Sequence, residues 1–291
     1  MIPLPRALVL ALGFYFGIPV VQISGTLQGQ TAPTDSILAI AHTLFTEASI
    51  LANQGHQDEA ESKLQRVIDI REKALGLDHP DVALALHNLG FIYNAQGRYA
   101  EAEPLLRRAL IIREAALGPQ HLEVALTLNS LAFTYGVRSR YEEAEPLYER
   151  ALAIDEIVLG PNHLEVAHVL SNLGMLYDDL DRYIEARSVY ERVLAIRETV
   201  LGLGHPDVAD ALINLASLYH HQELYAEAIP LYRRSLDIRK VEFGPEHSDT
   251  GLALENLILA CELFFALPYI AQEQQSITAP ESMTVLCRPS P

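Results

Sequence analysis

A strict 42-residue repeat constrains this chain more than any other feature of its sequence. The stretch GLDHPDVALALHNLG, residues 76–90, recurs in altered form, and its first glycine returns every 42 residues. Self-similarity at a fixed period of this size is the signature of stacked repeat architectures. The rows that keep the register include Gly76, Gly118, Gly160, Gly202 and Gly244, then His79, His121, His163, His205 and His247, then Leu89, Leu131, Leu173, Leu215 and Leu257.

Each repeat contains two amphipathic helices, which we call helix A and helix B. In residues 76–117, apolar residues recur at spacings of three and four from Val82 to Tyr93 and again from Ala102 to Leu110, which predicts two helices. Short turn sequences such as GRY (97–99) separate helix A from helix B, and a Leu-Gly pair ends helix B. With about five residues per connection, each helix is expected to have roughly 16 residues and a length of about 24 Å.

The spacing of small and large residues in the repeat matches a known family. In residues 76–117 the pattern is Leu89, Gly90, Tyr93, Ala102 and Leu106, and it returns in the next three units. Together with the words HPDVA and GRYAEAEPL, it resembles the kinesin light chain type of tetratricopeptide repeat. The resemblance implies an all-α fold, a right-handed superhelical solenoid of stacked antiparallel helix hairpins.

The register also predicts the domain boundaries. The repeat domain covers 34–265, as units 34–75, 76–117, 118–159, 160–201 and 202–243 and a partial unit 244–265. Before it we expect a signal peptide or anchor (1–25) and a linker (26–33). After it we expect a tail (266–291) with a short capping helix followed by disorder.

Histidine is a common metal ligand, but the distance between repeats is too large for this row to share a metal ion. Equivalent residues of neighbouring repeats lie about 8 to 10 Å apart, whereas two nitrogen ligands of one ion lie within about 4 Å of each other. Each histidine falls between the glycine that ends helix B and the start of the next helix A. The row is therefore expected to cap helix N-termini or to pack under the turn.

A second, unrepeated cluster is a weak candidate for a metal site. Asp178 and Asp179 end one helix A, and His220 and His221 occupy the same two positions of the next. Carboxylates and imidazoles are suitable ligands. The alternative is a chance arrangement of polar residues on an exposed helix end.

The resemblance places the functional surface on helix A, since helices A line the concave side of such solenoids. One groove position falls just before the signature leucine, where an asparagine can pair with the main chain of an extended peptide. The alternative is that these side chains satisfy neighbouring turns of their own helices. The row consists of Asn88, Ser130, Asn172, Asn214 and Asn256.

Three positions further on, a second row lines the same expected groove, with Phe91, Phe133, Met175 and Ser217. It lacks the Lys and Arg of the carboxylate-clamp subfamily, so that ligand class is not expected. Acidic Asp178, Asp210, Glu255 and Glu262 lie among these rows and favour a neutral or basic segment with an apolar anchor as partner. The formal net charge of −17 disfavours nucleic acid as a partner.

The N-terminus resembles a secretory signal. Arg6 precedes fifteen residues without a charge, 7–21, which is the length of a signal-peptide apolar segment and short of the roughly 20 residues of a membrane-spanning helix. We expect export to the periplasm or medium, with cleavage near Gly25. The alternative is an uncleaved membrane anchor at 7–21.

The C-terminal end of the repeats looks incomplete. The last helix A, near 249–265, has no full helix B, so Leu257, Leu259, Leu263, Phe264 and Phe265 are expected to be partly exposed. Three explanations stay open: residues 268–275 fold back as a cap, another chain covers the patch by self-association or binding, or the chain continues in a longer protein. The two cysteines, Cys261 and Cys287, form no disulfide framework or CxxC motif and indicate little about redox.

No nucleophile elbow, P-loop, HExxH or paired-cysteine zinc motif occurs. The sequence therefore predicts a non-enzymatic scaffold without a cofactor, which binds an extended protein segment. The alternative is the regulatory arm of a separately encoded or lost enzyme, because similar arrays precede caspase-like CHAT protease domains in bacterial proteins.

Overall fold

A computed structural model describes residues 32–267, 283 and 285–287. The predicted signal segment 1–25, the anchor at 7–21, most of the linker and the cap at 268–275 lie outside these residues. Within the described part, eleven helices follow one another. Helices A are α1 (Ala32–Asn53), α3 (Pro80–Ala95), α5 (Leu122–Gly136), α7 (Leu164–Asp179), α9 (Pro206–His221) and α11 (Ser248–Ala266); helices B are α2 (Gln57–Leu75), α4 (Tyr99–Leu117), α6 (Tyr141–Leu159), α8 (Tyr183–Leu201) and α10 (Tyr225–Phe243).

The helices form two compact units, and the boundary falls inside α6, after Ile154. In the first unit α1 packs on α2 and α3 on α4; in the second, α7 packs on α8 and α9 on α10. Within each unit, hairpins also pack on one another, through α2 with α3 and α4 with α5 in the first, and through α8 with α9 and α10 with α11 in the second. The predicted helix pairs are confirmed, although α4, α8 and α10 have 19 residues rather than about 16, because the A-to-B turns are shorter than expected.

The two helices of a hairpin approach closely at the small residue of the signature. A Cβ atom added to Gly174 in α7 would lie 2.5 Å from Cε1 of Tyr190 in α8, and one added to Gly90 would lie 2.8 Å from Cγ of Leu106. Such distances are shorter than real Cβ contacts, so a larger residue would force the helices apart. The signature alanine that opens helix B is fully buried in each of four hairpins, as Ala102, Ala144, Ala186 and Ala228.

The histidine row caps the helices A, which confirms the sequence prediction. Nδ1 of His163 accepts a hydrogen bond from the backbone N–H of Glu165, at 3.2 Å. This pairing satisfies one of the N–H groups that a helix start leaves without a partner. The same bond, at 3.1 to 3.2 Å, occurs at His79, His121, His205 and His247.

One helix, α1, has the length and composition that would allow it to cross a membrane, in residues 34–53. Ala41, Ala48 and Ala52 are nevertheless buried, and the helix packs against α2. It therefore occupies the position of a helix A in the first hairpin.

Buried arginines join helix B to the helix A that follows it. Each donates from Nη1 to a backbone carbonyl ten residues further on, in the first turn of the next helix A. Burial lowers the pKa of Arg71, Arg113 and Arg197, although each keeps this bond. The pairs are Arg71 with Asp81 (2.7 Å), Arg113 with Glu123 (3.0 Å), Arg197 with Asp207 (2.9 Å) and Arg239 with Asp249 (2.9 Å).

A second arginine row links successive helices B. Nη2 of Arg192 in α8 forms a 2.6 Å ion pair with Glu156 and donates to the carbonyl of Pro161 at 2.9 Å. The equivalent arginines pair as Arg108 with Glu72, Arg150 with Glu114 and Arg234 with Glu198. These arginines therefore join repeats rather than neighbouring residues of one helix.

The C-terminal end of α11 is covered by this chain itself. Met283 is buried in the core formed by α9, α10 and α11, and Cys287 forms a disulfide with Cys261 of α11, with their Cα atoms 5.9 Å apart. Leu257 and Phe264 are consequently buried, so their predicted exposure is wrong. Leu259 and Leu263 are partly exposed and Phe265 is 46% exposed, as predicted. Disorder was predicted for this part of the tail, but Met283, Leu286 and Cys287 pack against the cluster, whereas Val285 is exposed.

Asp155 in α6 interrupts the row of buried arginines. It is 6% exposed, and burial, together with the nearby Glu165, raises its pKa to about 7, while His168 lowers it. A carboxyl group at this position is therefore easier to bury protonated than ionised.

We expect this group to make stability depend on pH. Because the folded-state pKa lies above the ordinary value of 3.8, stability is complete below about pH 4 and is lost as pH rises towards 7. D155N should therefore resemble the wild type near pH 4 and be more stable by about 2 to 4 kcal/mol at pH 8, measured by urea unfolding. The control is D237N, at an exposed position of α10. Parallel pH curves for D155N and the wild type would contradict the account.

Candidate functional site

The predicted asparagine row lies on helices A, one residue before a buried leucine in each. In the first unit, Asn88 of α3 is partly exposed beside the buried Leu89. In the second unit, Asn172, Asn214 and Asn256 occupy the same position of α7, α9 and α11, and all three are partly exposed. The row is thus accessible from one face of helix A in each unit. We call this surface, with the second row described next, the A face.

The second row lies three residues further along the same helices. In the first unit, Phe91 and Phe133 are partly exposed, and Phe133 packs its ring edge against Tyr99 at a centroid distance of 6.5 Å. In the second unit, Met175 and Ser217 are partly exposed. The A face therefore presents apolar side chains beside carboxamides in both units.

Ser130 differs from the asparagines of its row. It is 9% exposed, and its hydroxyl donates to the carbonyl of Leu126, one turn earlier in α5. The hydroxyl of Thr134 lies 2.9 Å from the carbonyl oxygen of Ser130. The same hydroxyl lies 3.0 Å from Oδ1 of Asn94 in α3, and both oxygens are hydrogen-bond acceptors. At this position the polar groups hold α3 and α5 together rather than face outwards.

The acidic residues of the second unit differ in whether the protein itself pairs their charge. Asp210 forms a 2.6 Å ion pair with Arg239, so its charge is neutralised by the protein. Asp178 pairs through Oδ2 with Nδ1 of His221 at 2.8 Å, but its buried Oδ1 has no hydrogen-bond partner. Glu255 and Glu262 are exposed on α11. The acidic character of the A face therefore comes from the last three of these residues.

The proposed metal ligands are not brought together, so that candidate is wrong. Asp178 and His221 do form a pair, but His220 turns towards Tyr225, at a ring-centroid distance of 5.2 Å. Burial lowers the pKa of His220, as does the neighbouring His221. No group of three acidic, histidine or cysteine side chains suited to a metal occurs in the described part of the chain. Aromatic packing, which the sequence pattern did not show, decides where His220 points.

A tetratricopeptide repeat family model matches residues 39–110, 81–156, 123–199 and 207–263. These segments together span well over half of the chain. The chain belongs to the tetratricopeptide repeat family.

Solved structures agree with this assignment. A Podosopora anserina repeat protein, assigned as a kinesin light chain with nearly identical repeats, is 25% identical, with a TM-score of 0.60 over 74% of this chain and 99% of that one. BtubC (BKLC) from P. vanneervenii is 21% identical, with a TM-score of 0.55 over 90% and 96%. The apo form of RapI is 17% identical, with a TM-score of 0.63 over 81% and 79%. No curated protein matches the sequence.

These matches confirm the predicted family and the all-α repeat fold. A tetratricopeptide repeat protein is a protein–protein interaction scaffold, and members of the family are generally not enzymes. The fold alone does not specify which surface of the scaffold binds a partner.

Two features of this tetratricopeptide repeat protein were not predicted from its sequence. The first is the disulfide, whose signal was Cys261 at the position of the signature tyrosine. The second is a buried pair in the first unit, in which His87 is 4% exposed and lies near the fully buried Arg113. Burial and that guanidinium lower the pKa of His87 well below its usual range, so the imidazole is a neutral part of the core.

Proposed function

We propose that this protein is a non-enzymatic scaffold that binds an extended protein segment on the A face of α7, α9 and α11. The observation that carries the proposal is the row of Asn172, Asn214 and Asn256 at one position of α7, α9 and α11. A carboxamide both donates and accepts hydrogen bonds, so it can pair with the main chain of a peptide whatever its side chains.

The hydrogen bonding of the asparagines supports this use. Within the described residues, the side chains of Asn88, Asn214 and Asn256 make no hydrogen bond. These three side chains do not satisfy neighbouring turns, as the alternative explanation requires, whereas Ser130 does. A partly buried amide without a partner in the protein favours a ligand that supplies one.

The repeat spacing also suits an extended chain. Neighbouring helices lie about 8 to 10 Å apart, and an extended peptide advances about 3.3 Å per residue. One asparagine would therefore meet the peptide main chain about every third residue. The side chains between these contacts are free to select the sequence.

The chemistry of the A face favours a neutral or basic segment with an apolar anchor. Met175 offers a flexible apolar contact beside the asparagine row. Glu255 and Glu262 are exposed acids on α11. An arginine or lysine of the ligand would satisfy these acids, whereas an acidic segment would be repelled. In the first unit, Asn88, Phe91 and Phe133 present the same combination of amide and apolar groups.

We further propose that the protein is exported. The apolar segment 7–21 after Arg6 supports a secretory signal. The Cys261–Cys287 disulfide is independent support, since disulfides persist in oxidising compartments such as the periplasm.

The asparagine row gives the central prediction. N172A/N214A should bind at least tenfold more weakly than the wild type to labelled nonapeptides that carry one leucine and two arginines, because each lost amide contact contributes about 1 kcal/mol or more. Fluorescence anisotropy measures the affinity, and circular dichroism checks that helicity is unchanged.

The matched control is N53A/N162A, which removes two exposed asparagines outside the A face and should bind like the wild type. Nonapeptides with aspartate in place of arginine should bind the wild type poorly. Equal affinity of the two double variants for the arginine peptides would exclude the asparagine row as the binding site.

Export predicts a shortened protein outside the cytoplasm. When the full chain is expressed in a bacterium, the fraction released by osmotic shock should contain a species whose intact mass matches cleavage near Gly25. A variant lacking residues 7–21 should stay inside. Uncleaved protein retained in the membrane fraction would contradict export and support the anchor.

A further inference from the structure

The signature tyrosine of helix A joins three helices in the earlier repeats. Its ring lies under an arginine from the start of the following helix B, with Arg98 at 4.0 Å from the Tyr93 centroid and Arg140 at 4.2 Å from that of Tyr135. Its hydroxyl accepts from the preceding helix B, where Nε of Arg107 donates to Tyr135 at 2.7 Å. The tyrosine thus fixes helix A to the helices B on both sides.

In α11 the position of the signature tyrosine is occupied by Cys261, and the contacts around it differ from those of the earlier repeats. Arg233 is the counterpart of Arg107, but it has no tyrosine hydroxyl to bind. Its Nε donates instead to the carbonyl of Leu286 at 2.8 Å. Cys261 itself is bonded to Cys287. We call Met283, Val285, Leu286 and Cys287 the C-terminal cap, and it takes over what the tyrosine and a following helix B do elsewhere.

The cap covers an apolar surface. Met283 is 2% exposed and packs in the cluster that contains Leu257, Ala260 and Phe264, while Leu286 packs against its edge. Phe264 is fully buried and Cys261 is 7% exposed. Removal of the cap would bring this end of α11 into contact with water.

Docking of the cap orders its residues, which costs backbone conformational entropy. Burial of Met283 and the hydrogen bond from Arg233 to Leu286 offset that cost. The disulfide closes 26 residues of chain and keeps the cap beside α11, so its reduction removes a covalent constraint that favours the docked state.

We propose that the Cys261–Cys287 disulfide is a redox switch that holds the C-terminal cap on α11 and opens this end of the repeat array when it is reduced. A dithiol reductant supplies two electrons and two protons. The S–S bond breaks, Cys261 and Cys287 become thiols, and the reductant is oxidised to a disulfide. The cap then dissociates and the surface of Leu257, Ala260 and Phe264 is exposed.

The experiment compares the oxidised and reduced full-length protein by hydrogen–deuterium exchange. Treatment with dithiothreitol should accelerate exchange of the α11 amides at least tenfold and increase the fluorescence of a hydrophobic dye. Exchange in α3, in the other unit, should not change. Reoxidation should restore the slow exchange, which separates opening from misfolding.

The variant C287S should show fast exchange in α11 without reductant and should not respond to dithiothreitol. S248A, which leaves both cysteines in place, should respond like the wild type. Unchanged α11 protection in the reduced wild type would overturn the proposal. So would two alkylatable thiols in protein purified without reductant from an oxidising compartment.

Discussion

The close contact between helices A and B is the constraint on which the rest of the structure depends. At Gly174 the backbone of α7 lies so near the ring of Tyr190 that a Cβ atom would come within 2.5 Å of it. The small residue, the opposing large residue and the buried alanine of helix B must therefore recur together. A single hairpin built this way leaves apolar surface on its outer sides, which is covered by the next hairpin or, at α11, by the C-terminal cap.

Polar residues then determine how one hairpin joins the next. Histidine caps start five of the helices A, and buried arginines bind the first turn of four of them from the preceding helix B. Departures from these rows are informative because the other repeats show what each position normally does. Asp155 puts a carboxyl group where an arginine is expected, and Cys261 replaces a tyrosine contact with a covalent bond.

The fold could be predicted from the sequence because the period, the helical spacing and the turn residues all agree. The histidine caps could be predicted from position alone. Contacts between side chains distant in sequence could not be predicted. The pairing of Asp210 with Arg239, the turn of His220 onto Tyr225 and the bond between Cys261 and Cys287 each depend on which side chains packing brings together.

The candidate binding surface consists of residues that recur in the repeats but do not belong to the core. Such residues can contact a partner. Asn214 and Asn256 are such residues, as is Met175 beside them. The most direct test is a photo-crosslinking amino acid placed at Met175 on the A face or at Ile184, which is 77% exposed on α8. With a biotinylated pool of arginine-containing nonapeptides, crosslinks should form from position 175 and not from position 184. Equal crosslinking at both positions, or crosslinking from 184 alone, would contradict binding on the A face.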